Sequence, residues 1–143
     1  MNTPNPFNLN RFLDAQERDY VDALEEIKQG YKQSHWIWFI FPQIRGLGRS
    51  SMAEYYGIIS IEEARAYLEN PTLKKRLIEI STALLQHKGK STAYEILGTT
   101  DAMKVRSSMT LFDQVMPNTI FAEVLDAFYN SERDEMTLEL IKQ

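Results

Sequence analysis

The chain has 143 residues, which fits one domain that buries about 68–70% of its unfolded surface and needs no disulfide or metal staple. The absence of cysteine excludes disulfide frameworks, thiolate zinc clusters and cysteine nucleophiles. A formal net charge of -4 argues against general binding to nucleic acid, which requires basic surface to neutralise phosphates.

The first residues, "MNTPNPFNLN", have neither the basic start nor the apolar core of a signal peptide, and no apolar run approaches the roughly 20 residues of a membrane span. The expectation is a cytoplasmic protein with no membrane partner. Residues 1–8 read as a loose N-terminal arm. No repeat, low-complexity segment or linker follows, so one domain over residues 1–143 is expected.

In chain order, "YVDALEEIKQGY" places Tyr20, Val21, Leu24, Ile27 and Tyr31 at helical spacing, with Gly30 as the stop. The next stretch, "SHWIWFIFPQIRGLGRSS", holds both tryptophans. Trp, Ile and Phe favour strands, but no partner strand is evident, and a lone buried strand would leave its backbone polar groups unpaired. A two-turn buried helix is expected instead, opened by Ser34 and stopped by Pro42. Ser51 and Glu54 stand in capping-box spacing for another helix, as do Ser60 and Glu63. Asn70 caps and Pro71 opens a longer one, with an apolar stripe of Leu73, Leu77, Ile80, Leu84 and Leu85, ended by Gly89. "STAYEILG" is a short helix closed by Gly98. "TDAMKVRSSMTLFDQV" aligns Ala102, Val105, Met109 and Phe112 on one face. A helix from Pro117 repeats Ile120, Phe121, Val124, Leu125 and Phe128. Ser131 or Asp134 caps a last one through Met136, Leu138 and Ile141. The expected architecture is all-α: one compact domain of about seven to nine short helices, with no sheet.

Two segments carry candidate chemistry. In "PQIRGLGRSS", two glycines permit close backbone approach, and a glycine loop running into a helix start offers N–H groups to an anion. Arg45 and Arg49 flank that loop, and guanidinium matches phosphate or carboxylate. Arg45, Arg49, Gly48 and Ser50 are therefore candidate ligand-binding residues, with the Gln43 amide beside them. The competing interpretation is a plain turn with capping serines and solvated arginines. In "DAMKVRSSMTLF", Ser107, Ser108 and Thr110 crowd an otherwise apolar helix. They either bond back to the preceding turn, or Ser107 and Ser108 face a polar cavity with Lys104, which shares a face with Ser108 at i, i+4 spacing. Trp36 or Trp38 is the candidate to stack on a planar ligand, and Tyr55 and Tyr56 either line the same cavity or edge the core. His35 is the weak candidate for proton transfer. His87, in a charged helix end, reads as a solvated cation. No metal-binding histidine spacing exists, so no metal site is expected.

The stretches "FLDAQ", "HWIWFIFPQI.GLG.S..A.YY.I", "EA.AYL.NP.L..RL", "ILG..D..K..SSMTLF" and "D..TL.L" resemble the bacterial family catalogued as domain of unknown function 1810, from about Phe12 to Leu140. The resemblance implies a compact multihelical fold without a sheet and implies no activity. Some relatives carry the label "calpastatin"; calpastatins are disordered inhibitors, whereas this chain reads as a packed globule, so the label is set aside.

Two functions follow as expectations. The first is a binder of an anionic small molecule, a nucleotide among the candidates, held between the Gly46–Ser51 loop and the Lys104–Ser108 face. Hydrolysis or group transfer without a cofactor is the chemistry such a site would support. The second is a non-catalytic interaction module whose surplus aromatics form an exposed patch for a protein partner or a homodimer. Oligomeric state is left open.

Overall fold

The long helix α1 (Asn10–Gln29) begins well before Tyr20, with Phe12, Ala15 and Gln16 continuing the buried face that Tyr20, Ala23 and Ile27 complete. The computed structural model describes residues 7–142; the arm expected over residues 1–8 lies outside them except for its last two residues. Gly30 stops α1 in the left-handed region at φ 81°, and the N–H groups of Gly30 and Tyr31 close onto the carbonyls of Ile27 and Glu26, the paired bonds of a Schellman motif.

The aromatic run is helical, but only for one turn, α2 (Ile37–Ile40). Ser34 does not cap it. Its N–H and hydroxyl both donate to the Glu26 carboxylate, which also accepts from the Gln33 N–H and Trp36 Nε1. The loop before α2 is thus folded onto α1, and the helix starts after Trp36.

The remaining helices are α3 (Ser51–Tyr55), α4 (Ile61–Glu69), α5 (Pro71–Leu85), α6 (Ala93–Leu97), α7 (Thr99–Val115), α8 (Ile120–Phe128) and α9 (Glu135–Ile141). Ser60 caps α4, Asn70 caps α5 and Asp134 caps α9, each accepting from backbone N–H groups of the first turn. Four boundaries or faces differ from expectation. Ser50, not Ser51, caps α3. α5 ends at Leu85 and a turn carries the chain through Gly89. α8 starts at Ile120 rather than Pro117, because Asn118 takes a positive φ of 62° that a helix cannot contain. α9 buries Thr137 and leaves Met136 exposed.

α7 is the hub: it packs against α2, α4, α6, α8 and α9, while α5 bridges α1, α4 and α8. Its middle is surrounded, so buried residues are not confined to the face of Ala102, Val105, Met109 and Phe112; Ser107, Ser108, Thr110 and Leu111 are buried too. A row of rings, Phe12, Tyr67, Phe112 and Phe121, runs through α1, α4, α7 and α8 with centroids 5.1, 5.2 and 5.8 Å apart. Among the described residues there is no strand, only an isolated parallel bridge between Ile44 and Ile58. No described helix is long and apolar enough to cross a membrane.

Candidate functional site

The site is assembled around α2. Buried Gln16 on α1 donates to the Phe39 carbonyl at 2.8 Å and to the Tyr67 hydroxyl at 3.0 Å, which locks α2 against the core. On so short a helix the two tryptophans diverge. Trp36 is 1% exposed, with its Nε1 spent on Glu26; Trp38 is half-buried and turned toward α7. Beyond Pro42, the Arg45 N–H donates to the Ile58 carbonyl and the Ile58 N–H to the Gln43 carbonyl, at 2.7 and 2.8 Å. These bonds make the parallel bridge and clip both ends of a segment containing the glycine loop and α3.

Between that segment, Trp38 and α7 lies a cavity of about 230 Å³. Gln43, Gly48, Arg49 and Ser50 line it from the loop side, and Lys104 from α7. Trp38, Ile44, Ala53, Tyr56 and Gly57 supply the rest of the wall. The loop can lie this close to α3 because residue 48 is glycine: a Cβ there would sit 2.8 Å from the Ala53 Cβ.

Its charge is one-sided. Arg49 and Lys104 are the ionised groups of the lining, and no carboxylate belongs to it. Arg49 enters no ion pair among the described residues. Lys104 Nζ stands 5.2 Å from the Trp38 ring centroid and 3.8 Å from Asp101, a contact at the outer limit of an ion pair. Asp101 is drawn more tightly to Lys32, at 2.8 Å, and Lys32 in turn covers the Trp36 ring at 4.7 Å. Two lysine–tryptophan pairs therefore share one carboxylate. Burial pushes the Tyr56 hydroxyl above the ordinary tyrosine range, so that wall stays neutral.

Not all of the candidate residues meet here. Gln43, Gly48, Arg49, Ser50 and Lys104 do. Trp36 does not; Trp38 takes the wall position, and Trp36 is core. Arg45 is exposed and lines a shallow depression on the other side of Gly57, with Arg11, Tyr55 and Glu63. Ser108 is fully buried one turn along α7 from Lys104, outside the cavity lining, and its hydroxyl has no hydrogen-bond partner. Ser107 and Thr110 bond back to the Met103 and Arg106 carbonyls. Ser50 Oγ accepts from the Ala53 N–H at 3.1 Å and is a cap as well as a wall. His35 is exposed and outside the cavity. His87, expected in solvent, is half-buried and packs on Gly30, its Nε2 2.7 Å from the Ile27 carbonyl. Among the described residues no group of three or more acidic or histidine side chains is placed to hold a metal.

Asp101 escaped sequence reasoning, although its i, i+3 spacing to Lys104 was a signal. Ile44, Ala53 and Gly57 carried none, since they become walls only when the bridge closes the segment.

A family sequence model matches residues 6–141. The chain belongs to the family described as Protein of unknown function (DUF1810). The crystal structure of the conserved hypothetical protein Rv1873 from Mycobacterium tuberculosis is similar to this family member at 42% identity and a TM-score of 0.93, over 97% of this chain and 99% of that one. No curated protein matches the sequence. The family member and that mycobacterial relative thus share a fold over almost their whole lengths.

Proposed function

We propose that this bacterial, cytoplasmic DUF1810 protein binds an anionic small molecule in the cavity between the Gly48–Ser50 loop and Lys104. The observation that carries the reading is convergence: two cations from distant parts of the chain, Arg49 and Lys104, meet at one concave site with no carboxylate in its lining. Each is available. Arg49 has no ionic partner among the described residues, and Lys104 has only the long contact to Asp101. The charge comes from these side chains rather than from a helix terminus, because α3 has only five residues and the Ala53 N–H is already taken by Ser50.

The arrangement supports binding more directly than catalysis. Ser50 is engaged as a cap, and His35 stands outside. For the interaction-module alternative the aromatic run offers little surface, since Trp36, Phe39 and Phe41 are at most 2% exposed, although Tyr31, Tyr55 and Tyr94 are exposed elsewhere.

The test is a thermal-shift screen of phosphates, carboxylates and nucleotides against the wild type, Arg49→Ala and Lys104→Met. A ligand at 100 times its dissociation constant stabilises by about 2.7 kcal/mol, and both variants should lose most of that shift. Full retention of the shift in both variants would place the ligand elsewhere.

A further inference from the structure

The cavity is graded in polarity from floor to mouth. Its most deeply buried walls are Ile44, Tyr56 and Gly57, at 3% and 9% exposure for the two side chains. Trp38 and Gln43 are half-buried, as is Lys104, whereas Gly48, Arg49 and Ser50 are exposed. An acid group pushed to the floor would leave its charge among apolar walls at a heavy desolvation cost. At the mouth the same group meets Arg49 and Lys104 while remaining partly hydrated. The floor is left for an uncharged part of the ligand.

Size limits that part. The cavity holds about 230 Å³, below the roughly 300–1,000 Å³ of sites that enclose drug-sized molecules, so it admits one ring and not a whole nucleotide. The character of the walls favours a flat ring. Trp38 supplies an aromatic surface, Tyr56 a neutral phenol, and Gly48 and Gly57 present backbone in place of side chains. At middle depth the Gln43 side-chain amide makes no hydrogen bond among the described residues, which leaves a donor and an acceptor for a substituent on the ring.

We infer that the site takes a compact aryl acid, a single flat ring bearing one carboxylate or phosphate, ring first, with the acid group bridged by Arg49 and Lys104 at the mouth. The inference rests on the anion-binding reading above and narrows it from anions in general to those that carry a ring.

The experiment titrates the full chain with benzoate, acetate, cyclohexanecarboxylate, benzyl alcohol, phenyl phosphate and inorganic phosphate, followed by tryptophan fluorescence and calorimetry. Benzoate should bind about tenfold or more tightly than acetate, and phenyl phosphate than inorganic phosphate, the scale expected of one aromatic stacking contact. Cyclohexanecarboxylate should fall several-fold short of benzoate. Trp38→Leu should erase the advantage of the ring, and Trp38→Phe should keep part of it, with thermal melts verifying that both variants fold. Ring-free acids that bind as tightly as their ring-bearing counterparts would overturn the aryl-acid inference and leave the anion reading standing. Cyclohexanecarboxylate equal to benzoate would remove the flat ring in particular. Benzyl alcohol equal to benzoate would overturn the anion reading, and binding by none of the acids would overturn both.

Discussion

Gly48 and Ala53 meet so closely that one methyl group decides whether the loop can lie on α3. Gly48→Ala should destabilise by about 1–3 kcal/mol through overpacking, and adding Ala53→Gly should restore most of the loss, because the swap conserves volume across the contact. Chemical denaturation of the single and double variants measures this. Glu26 shows a different kind of dependence on a single group. Desolvation raises its pKa, but the hydrogen bonds from Ser34, Gln33 and Trp36 outweigh that and hold the carboxyl near 2, against an ordinary 4.5. A depressed folded-state value means that the stabilisation is complete above about pH 4.5 and is lost as pH falls toward 2. Glu26→Gln should therefore cost about 2 kcal/mol at pH 6, and the gap to wild type should narrow steadily in unfolding curves taken down to pH 2.5. The sequence offered Trp36 and Trp38 alike as a cavity wall and did not choose between them. The choice depends on Glu26, ten positions before Trp36, whose reach across the loop is a tertiary fact.

At the scale of elements, stops were easier to read than starts. Gly30 and Gly98 end α1 and α6 as expected, since few residues other than glycine tolerate the backbone there. Starts were harder wherever two serines or a distant acceptor competed. Ser50 and Ser51 are both good caps by residue type, and only the turn of the preceding loop selects Ser50. Ser50→Ala should cost about 1 kcal/mol, while Ser51→Ala should stay within a few tenths, measured by urea denaturation. Ser34 looked like a cap for α2 and is instead consumed by Glu26. The crowding of Ser107, Ser108 and Thr110 has a comparable cause. α7 is packed on several sides, so small residues suit its middle, and two of the three hydroxyls satisfy themselves on their own helix.

For the whole molecule, the all-α class was legible because helical periodicity recurs along the chain and the aromatic run finds no partner strand. The site was half legible: the loop and Lys104 announced themselves by charge and glycine, but their meeting depends on how α2 seats against α7. One buried group ties the loop's far end to the frame. Arg11 pairs with Glu63 at 2.9 Å and also donates to the carbonyls of Asn8, Tyr55 and Gly57. Arg11→Leu should cost about 3–5 kcal/mol, because it strands a buried carboxylate. Adding Glu63→Leu should recover only part of that in calorimetric melts, since the three carbonyls stay unpaired. The bridge between Ile44 and Ile58 has a consequence of another kind. It makes the chain enter and leave the glycine-loop segment side by side, so lengthening that segment does not pry the helices apart, and each doubling of such a loop costs only about 0.6 kcal/mol in closure entropy. Lys104 belongs to the permanent scaffold, whereas Gly48, Arg49 and Ser50 belong to a clipped insert. The insert can thus be exchanged by grafting, with the lysine and the core left as they are.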